Sequence, residues 1–416
     1  MSCLHLRNLR LPGQSGLHEL RIEDGYFVSR FSGQQPVSQR DLDGLLVLPG
    51  LIETHIHLDK ACIMGRCCLQ HGTLAEAVEQ TRQAKAGFSE DDVYQRGAKV
   101  LEQAIVQGTT HMRTHVEIDP QIGLTGLRAV QRLQADYAWA ITLEICVFPQ
   151  EGMLNNPGTE ALLCEALESG ADLLGGCPYT DSDPQGQIQR LFELAARYDC
   201  DLDFHLDFDL HPEGMTLGCV IEQTHLHGWQ GRVAVGHATK LSALPREELE
   251  AMATTLAEAG VAVTCLPSTD LFLTGREQFH NKPRGLAPLA SLHALGVICS
   301  LSTNNIDNPF TPYGDASLIR QANLFANVSQ LATEQELLDC LGWVSATSAR
   351  LLRLPDYGLT PGCRADFVVF DAPSAAAVVA QLSAPLMGFK AGQQTFERSS
   401  ARLLRVAPSE AAQRLA

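Results

Sequence analysis

The stretch Leu48-Pro-Gly-Leu-Ile-Glu-Thr-His55-Ile-His57-Leu-Asp59-Lys60 is an apolar run that ends in two histidines one residue apart. Alternate side chains of a β-strand point to the same face, so His55 and His57 would leave the strand on one side. Two imidazoles on one face are able to reach one metal ion. The stretch therefore predicts a strand that ends in a metal site.

Three later apolar runs also end in polar groups that bind metals or transfer protons. They are Asp203-Phe-His205-Leu-Asp207, Val233-Ala-Val-Gly-His237 and Val297-Ile-Cys-Ser-Leu-Ser302-Thr-Asn304-Asn305. A catalytic metal typically has three protein ligands and an open position for water. We predict His55, His57 and His205 as the ligands of one divalent ion, which is zinc, iron(II) or manganese.

His237 has two open interpretations at this point. It is either a fourth ligand or a group that polarises a carbonyl or orients the attacking water. A two-metal site of this kind would need an anionic bridge such as a carboxylated lysine on a middle strand. No lysine occurs between Lys99 and Lys240, so that bridge is excluded and one metal is expected.

The order of apolar runs indicates the fold class. From about residue 45 to 350, short β-branched or apolar runs alternate with amphipathic helical patterns. Candidate strands lie near 45–55, 109–116, 139–147, 171–176, 201–205, 232–237, 261–266 and 296–302. Such an alternation predicts an α/β protein with a (β/α)8 TIM-type barrel, in which reactive groups stand at the carboxyl ends of strands.

The two ends of the chain read differently from the middle. Residues 1–48 contain short strand candidates separated by Gly, Asp and Gln-Pro turns, and the tail adds Ala365-Asp-Phe-Val-Val-Phe-Asp and a stretch near 383–406. We expect residues 1–48 and 355–416 to pair into a small β-sandwich. The (β/α)8 barrel with the metal site would then occupy residues 49–354.

Bulk properties narrow the partners and the compartment. A net charge of −17 argues against nucleic acid or an anionic membrane as a partner, which leaves a small molecule. The sequence lacks a signal-peptide core and any apolar run of membrane-spanning length. Thirteen scattered cysteines without a Cys-x-x-Cys pair are typical of reduced thiols. We expect a cytoplasmic protein that forms a homo-oligomer.

Several motifs together resemble the amidohydrolase superfamily, and within it the bacterial cytosine deaminases and related deaminases of nitrogen heterocycles. The most specific is Val147-Phe-Pro-Gln150-Glu-Gly152, since few metal sites have this loop. The other matching segments are His55-Ile-His57-Leu-Asp59, Arg113-Thr-His115-Val, the His205 and His237 strand ends, Gly275-Arg276 with Arg284-Gly285, Asn304-Asn305 with Pro309-Phe310, and Asp356-Tyr357-Gly358.

The resemblance implies hydrolytic attack on an sp2 ring carbon with loss of ammonia or an amine, helped by a metal that lowers the pKa of water. It implies that Gln150 binds the ring and that His237 stabilises the attacking group. A glutamine amide both donates and accepts hydrogen bonds, as an amide-like ring edge requires. Asn305 is a further candidate for contacting the substrate, and Lys60, directly after Asp59, either contacts the substrate or is a surface charge.

Two positions depart from the family pattern. Related deaminases have a proton-shuttling glutamate where this chain has Phe208, and a proton-accepting aspartate where it has Asn304. Neither replacement does the same acid/base work, although an asparagine oxygen still coordinates a metal weakly, so Asn304 remains a candidate for the catalytic site. Asp207, Asp209 or Asp307 is a candidate to take over the proton, and the alternative interpretation of each is a solvated or structural carboxylate.

The sequence leaves three alternative functions open. The leading one is a cytosine-deaminase-like C–N hydrolase of a small nitrogen heterocycle, with cytosine itself disfavoured by Phe208. The second is a catalytically impaired homologue that binds a small ligand. The third is a cyclic amide hydrolase on the same metal.

Overall fold

The computed structural model describes residues 3–33, 36–401 and 403–404. The strands within these residues are β1 (Cys3–Leu9), β2 (His18–Glu23), β3 (Tyr26–Val28), β4 (Val37–Asp41), β5 (Leu46–Pro49), β6 (Leu51–Ile56), β7 (Thr109–Glu117), β8 (Thr142–Phe148), β9 (Leu173–Gly176), β10 (Leu202–Leu206), β11 (Val233–His237), β12 (Val261–Cys265), β13 (Cys299–Leu301), β14 (Phe367–Phe370), β15 (Pro385–Lys390) and β16 (Gln393–Glu397).

Helices alternate with the strands along the middle of the chain. Several begin where a Ser, Thr or Asp side chain accepts the hydrogen bond of a backbone N–H in the first turn, as Thr73, Ser89, Asp183 and Ser317 do. The helices are α1 (Leu74–Lys85), α2 (Glu90–Val106), α3 (Thr125–Asp136), α4 (Thr159–Glu168), α5 (Pro184–Tyr198), α6 (Leu217–His227), α7 (Arg246–Ala259), α8 (Pro267–Leu273), α9 (Leu289–Ala294), α10 (Leu318–Ser329), α11 (Glu334–Gly342), α12 (Ala346–Leu351) and α13 (Ala375–Ala380).

The strands β6 to β13 form one eight-stranded sheet in which each strand pairs in parallel with the next along the chain. Strands β10, β11 and β12 are buried at every position, as expected where helices cover the sheet from outside. This architecture confirms the predicted (β/α)8 barrel.

The first and last barrel strands meet through Asn304, three residues after β13 ends. Its backbone N–H donates to the His55 carbonyl at 3.0 Å, and its carbonyl accepts from the His57 N–H at 2.9 Å. Asn304 also forms a parallel bridge with Ile56. Barrel closure therefore places Asn304 directly beside the two histidines of the His-x-His motif.

The terminal segments form two further four-stranded sheets, β3-β2-β1-β4 and β16-β15-β14-β5. Side chains of both sheets, including Leu6, Ile22, Phe367 and Phe389, share one buried cluster. This packing agrees with the predicted β-sandwich. The predicted stretch near 383–406 corresponds to β15 and β16, and its residues 402, 405 and 406 lie outside the described part of the chain.

Gly50 links β5 of the sandwich to β6 of the barrel. A Cβ atom at this position would lie 2.2 Å from the Thr110 hydroxyl oxygen, so only glycine fits between the two sheets.

Within the described residues, no helix combines the length and the apolar character that a membrane crossing requires.

Candidate active site

Three histidine side chains converge at the carboxyl ends of β6 and β10. The Nε2 atom of His205 lies 3.1 Å from Nε2 of His55 and 3.0 Å from Nε2 of His57. One ring proton on His205 would satisfy only one of these contacts, whereas a cation among the three nitrogens would satisfy all of them. The predicted ligand residues are therefore brought together.

The charge state of these rings suits a metal. Burial, followed by the nearby His115, lowers the pKa of His55 to about 3. Burial also holds the pKa values of His57 and His205 well below the ordinary value. Neutral imidazoles have a free lone pair, and the Nδ1 atoms of all three rings are buried without a hydrogen-bond partner among the described residues. The donor set fits one divalent ion.

His115 on β7 joins this cluster, although the sequence drew attention to it only as part of a motif. Ligand nitrogens of His55, His115 and His205 lie within 4.8 Å of one another. However, the His115 ring stacks on the face of the His55 ring, with ring centres 3.8 Å apart. Stacked rings do not aim their lone pairs at a common point. We therefore keep His57, which faces the cavity, in the ligand set.

A buried carboxylate, Asp203, lies behind the histidines. Its Oδ1 is 3.8 Å from Nδ1 of His55 and 3.5 Å from Nε2 of His115. Arg113 donates to its other oxygen at 2.8 Å. The negative charge on this side of His55 favours a proton on Nδ1 and leaves Nε2 free for a cation.

A nearly closed chamber stands over the histidines. Its volume is about 10 Å³, close to the space of one water molecule. An apolar cover closes it, made of Leu74 and Ala77 of α1, Phe208, Leu273 and Phe310. The lining residues are His57, Lys60, Leu74, Gln150, Tyr179, His205, Phe208, His237, Thr269, Leu273, Asn304, Asn305 and Phe310.

Two predicted substrate-binding residues touch each other in the chamber. The Lys60 ammonium donates to the side-chain oxygen of Gln150 at 2.9 Å and to Glu117 at 2.7 Å. It also lies 4.4 Å from the centre of the Phe310 ring. An ammonium has three protons, so one remains for a ligand. The Gln150 amide nitrogen in turn contacts the Cys177 sulfur at 3.4 Å.

Lys85, the last residue of α1, compensates the charges behind Lys60. Its ammonium lies 2.8 Å from Glu117, 2.7 Å from Asp119 and 2.5 Å from Glu151. Burial raises the pKa of Glu117, but Lys60 and Lys85 outweigh burial and lower it to about 2. Glu117 therefore stays ionised and holds Lys60 in place.

His237 lies across the chamber on the end of β11, with a backbone φ of 69°. Its Nδ1 is 2.6 Å from Oδ1 of Asp270, a fully buried residue of α8. Nε2 of His237 makes no hydrogen bond to a described residue. The sequence interpretation missed Asp270, and the polar run Pro267-Ser-Thr-Asp270 after a buried strand was the available signal.

Asn304 and Asn305 both line the chamber, as predicted. The Asn304 side-chain oxygen is buried without a partner among the described residues. The Asn305 oxygen accepts from the Asn308 amide at 2.7 Å, which leaves the Asn305 amide protons for a ligand.

Asp207 departs from its predicted catalytic role. Its carboxylate accepts hydrogen bonds from the Thr216 N–H, the Thr216 hydroxyl and the Leu217 N–H, at 2.8, 2.9 and 3.0 Å. It therefore anchors the start of α6, and it does not line the chamber. Asp209 pairs with Lys240 at 3.2 Å, and Asp307 also lies outside the chamber lining. No aspartate or glutamate of the described chain lines the chamber.

Comparison with known proteins agrees with this arrangement. The amidohydrolase family profile (Amidohydro_3) matches residues 98–396, which is most of the chain. The chain belongs to the amidohydrolase family. This membership supports a metal-dependent hydrolase of C–N bonds, and it confirms the resemblance that the motifs indicated.

Solved structures of related amidohydrolases share the whole architecture. The 5-methylcytosine deaminase of Klebsiella pneumoniae, liganded with 5-fluorocytosine, superposes with a TM-score of 0.91 at 27% identity, over 96% of this chain and 99% of that one. N-isopropylammelide isopropylaminohydrolase of Burkholderia multivorans gives 0.84 at 30% identity, over 95% and 98%. The pterin deaminase of Rhizobium rhizogenes is 28% identical over 342 residues, 81% of this chain and 77% of the relative.

Proposed function

We propose that this amidohydrolase removes an amino or alkylamino group from a small, oxo-substituted nitrogen heterocycle. One observation carries the proposal. One small chamber is lined by His57 and His205, two of the three converging histidines, by a further histidine held by a carboxylate, and by amide and ammonium donors. The related proteins act on pyrimidine, triazine and pterin rings, which supports a heterocyclic substrate.

His55, His57 and His205 would hold one divalent ion, with zinc, iron(II) and manganese as the candidates. Such an ion lowers the pKa of water and makes it a nucleophile near neutral pH. The Asn304 oxygen, buried beside these ligands, is a weak additional donor to the same ion.

Lys60, Gln150 and Asn305 would bind the polar edge of the ring. The free ammonium proton of Lys60 and the amide protons of Asn305 are donors, so they fit ring oxygens or an anionic ring edge. Phe208 and Phe310 would pack on the ring as apolar walls. Because Phe208 has no proton to give, the substrate should not need a ring nitrogen protonated from that side.

His237 would accept the proton released during attack and return it to the leaving amine. Its orientation is fixed by Asp270, and its Nε2 makes no hydrogen bond to a described residue. A positioned acid/base group of this kind typically contributes about 10² to 10⁴ in rate.

The test is metal content together with release of ammonia or amine from aminated and alkylaminated pyrimidines, triazines and pterins. Near one metal per chain with release of either product supports the proposal. His205→Ala should abolish both, whereas His280→Ala, at an exposed histidine, should change neither. A protein without metal contradicts the site.

Two other outcomes correspond to the alternative functions. Metal without turnover, but with saturable binding of a heterocycle, would indicate an impaired homologue that binds a small ligand. A new carboxylate without ammonia would indicate a cyclic amide hydrolase.

We also propose a cytoplasmic homo-oligomer whose partner is this small molecule and not a nucleic acid. The thirteen free cysteines support the compartment, and the net charge of −17 supports the exclusion of nucleic acid. Light scattering would test the assembly.

A further inference from the structure

Asp270 is a buried carboxylate directly behind the chamber wall. Its Oδ1 lies 2.6 Å from Nδ1 of His237, and its Oδ2 accepts from the Leu266 N–H at 3.1 Å. The residue has no exposed surface. A hydrogen bond this short, with both oxygens engaged, fixes the orientation of the imidazole ring.

The direction of this hydrogen bond determines which ring nitrogen is available. An ionised carboxylate only accepts hydrogen bonds, so the proton between the two groups belongs to Nδ1 of His237. In the neutral ring, the lone pair is then on Nε2. Because His237 lines the chamber and Nδ1 is turned to Asp270, Nε2 is the nitrogen offered to a ligand.

The residues around His237 indicate why its pairing with Asp270 matters. The two positions that carry acid/base carboxylates in the resembling deaminases hold Phe208 and Asn304, and no described carboxylate lines the chamber. Phe208 packs on His237 with ring centres 4.2 Å apart and shields it from water. Asp270 is therefore the carboxylate that contacts the His237 imidazole, whereas Glu117 meets the chamber through the Lys60 ammonium.

We propose that Asp270 is a positioning residue that keeps His237 in the Nδ1–H form, with Nε2 as the proton acceptor of the reaction. A His–Asp pair reached from α8 would then do the work that a carboxylate on the last barrel strand does elsewhere. This inference rests on the proposed hydrolytic function, but its first test does not require turnover.

The first test is nitrogen NMR of ¹⁵N-histidine-labelled protein, recorded metal-free and zinc-loaded. The His237 signals are assigned by their loss in His237→Gln. Wild type should show a protonated Nδ1 and an unprotonated Nε2. Asp270→Asn should raise the Nε2–H population, because an amide is able to donate to Nδ1. An identical protonation pattern in Asp270→Asn would overturn the inference.

The second test separates positioning from folding. Asp270→Asn should lower kcat about 10²- to 10⁴-fold, as loss of the orienting carboxylate does in other His–Asp pairs, while KM and metal content change less than about threefold. Asp172→Asn is the matched control. Asp172 accepts a hydrogen bond of 2.7 Å from the Ile145 N–H, and it does not line the chamber. Equal effects of the two variants, or a kcat loss matched by loss of metal, would overturn the inference.

The two tests also separate this inference from the proposed function. If wild type turns over no heterocycle, the proposed function fails, and the NMR comparison still decides the role of Asp270. If Asp270→Asn leaves kcat unchanged in an active enzyme, Asp270 is structural and the proposed function stands.

Discussion

Lys60 donates a hydrogen bond of 2.9 Å to the side-chain oxygen of Gln150, so two residues from different strand ends present one joint surface to the chamber. Glu117 fixes the lysine from behind at 2.7 Å. The orientation of the Gln150 amide therefore depends on Lys60. A change at either residue alters what the other offers to a ligand.

This coupling predicts a non-additive effect on substrate binding. Lys60→Met and Gln150→Leu should each raise KM by about tenfold or more, and the double variant should be little worse than either. The coupling in the double-mutant cycle should be about 0.5 to 3 kcal/mol. Steady-state kinetics of the four proteins measure it, and additive effects would show that the two residues act independently.

Metal removal should destabilise the protein, because the three histidine nitrogens lose their shared partner. Zinc at 100 times its Kd should stabilise the metal-free protein by about 2.7 kcal/mol. His205→Ala should weaken zinc binding by more than about 100-fold, since even the outer partners of ligands are typically worth about 10- to 100-fold. Chelator competition measures this affinity, with exposed His280→Ala as the control.

Lys85→Met should be one of the most destabilising single changes, because it leaves buried Asp119 without a counter-charge and buried Glu117 with Lys60 alone. Removing one partner of a buried ion pair typically costs about 3 to 5 kcal/mol. Denaturant unfolding measures it, and Lys99→Met, at an exposed position of α2, should change stability by less than about 0.5 kcal/mol.

The Lys85 effect should also depend on pH. Because the folded-state pKa of Glu117 is lowered to about 2, its ionised form stabilises the fold above its ordinary value of 4.5. This contribution is lost as pH falls from 4.5 towards 2. The stability gap between wild type and Lys85→Met should therefore be full at pH 6 and narrow below about pH 4.5. A gap that widens on acidification would contradict the ion-pair account.

Phe208→Ala should lower the stability of the protein and widen the chamber. Phe208 is 6% exposed, and a buried Phe→Ala change typically costs about 3 to 5 kcal/mol. The relative kcat/KM for alkylamino over amino substrates should rise. Phe192→Ala, in a helix that packs outside the barrel, should be similarly destabilising without changing this preference.

Asn304→Asp should tighten metal binding and destabilise the metal-free protein. The Asn304 oxygen is already buried beside His55 and His57, so a carboxylate would add an anionic ligand. We expect about tenfold tighter zinc binding and a lower melting temperature in chelator, since a buried charge without a partner is costly. The exposed control is Asn327→Asp, and unchanged zinc affinity would show that position 304 does not reach the ion.

The strand ends could be predicted because parallel strands of a barrel deliver their last side chains to one rim. That rule placed His55, His57, His205, His237, Asn304 and Asn305 together, and the structure brings all six to the same end of the barrel. Gln150 followed from the family motif, whereas the sequence alone did not decide whether Lys60 contacts a substrate or is a surface charge.

Other parts of the site depend on contacts that sequence spacing does not encode. Asp207 follows His205 by two residues, but a backbone φ of 51° turns its carboxylate towards the start of α6. Asp270 belongs to a helix 33 residues after His237, and only the folded barrel brings the two together. Lys85 likewise reaches Glu117 from the end of α1.

The apolar cover imposes an order of events on any turnover. A chamber of about 10 Å³ cannot admit a six-membered ring, so Leu74, Phe208 or Leu273 must move aside before a substrate meets the histidines. Loop and helix displacements of this kind typically take microseconds to milliseconds. Opening is thus a separate kinetic step that solvent viscosity slows. Leu74 of the cover belongs to α1, and Lys85 at the end of the same helix pairs with Glu117, which holds Lys60. Movement of α1 during substrate entry therefore acts on the residue that positions Lys60.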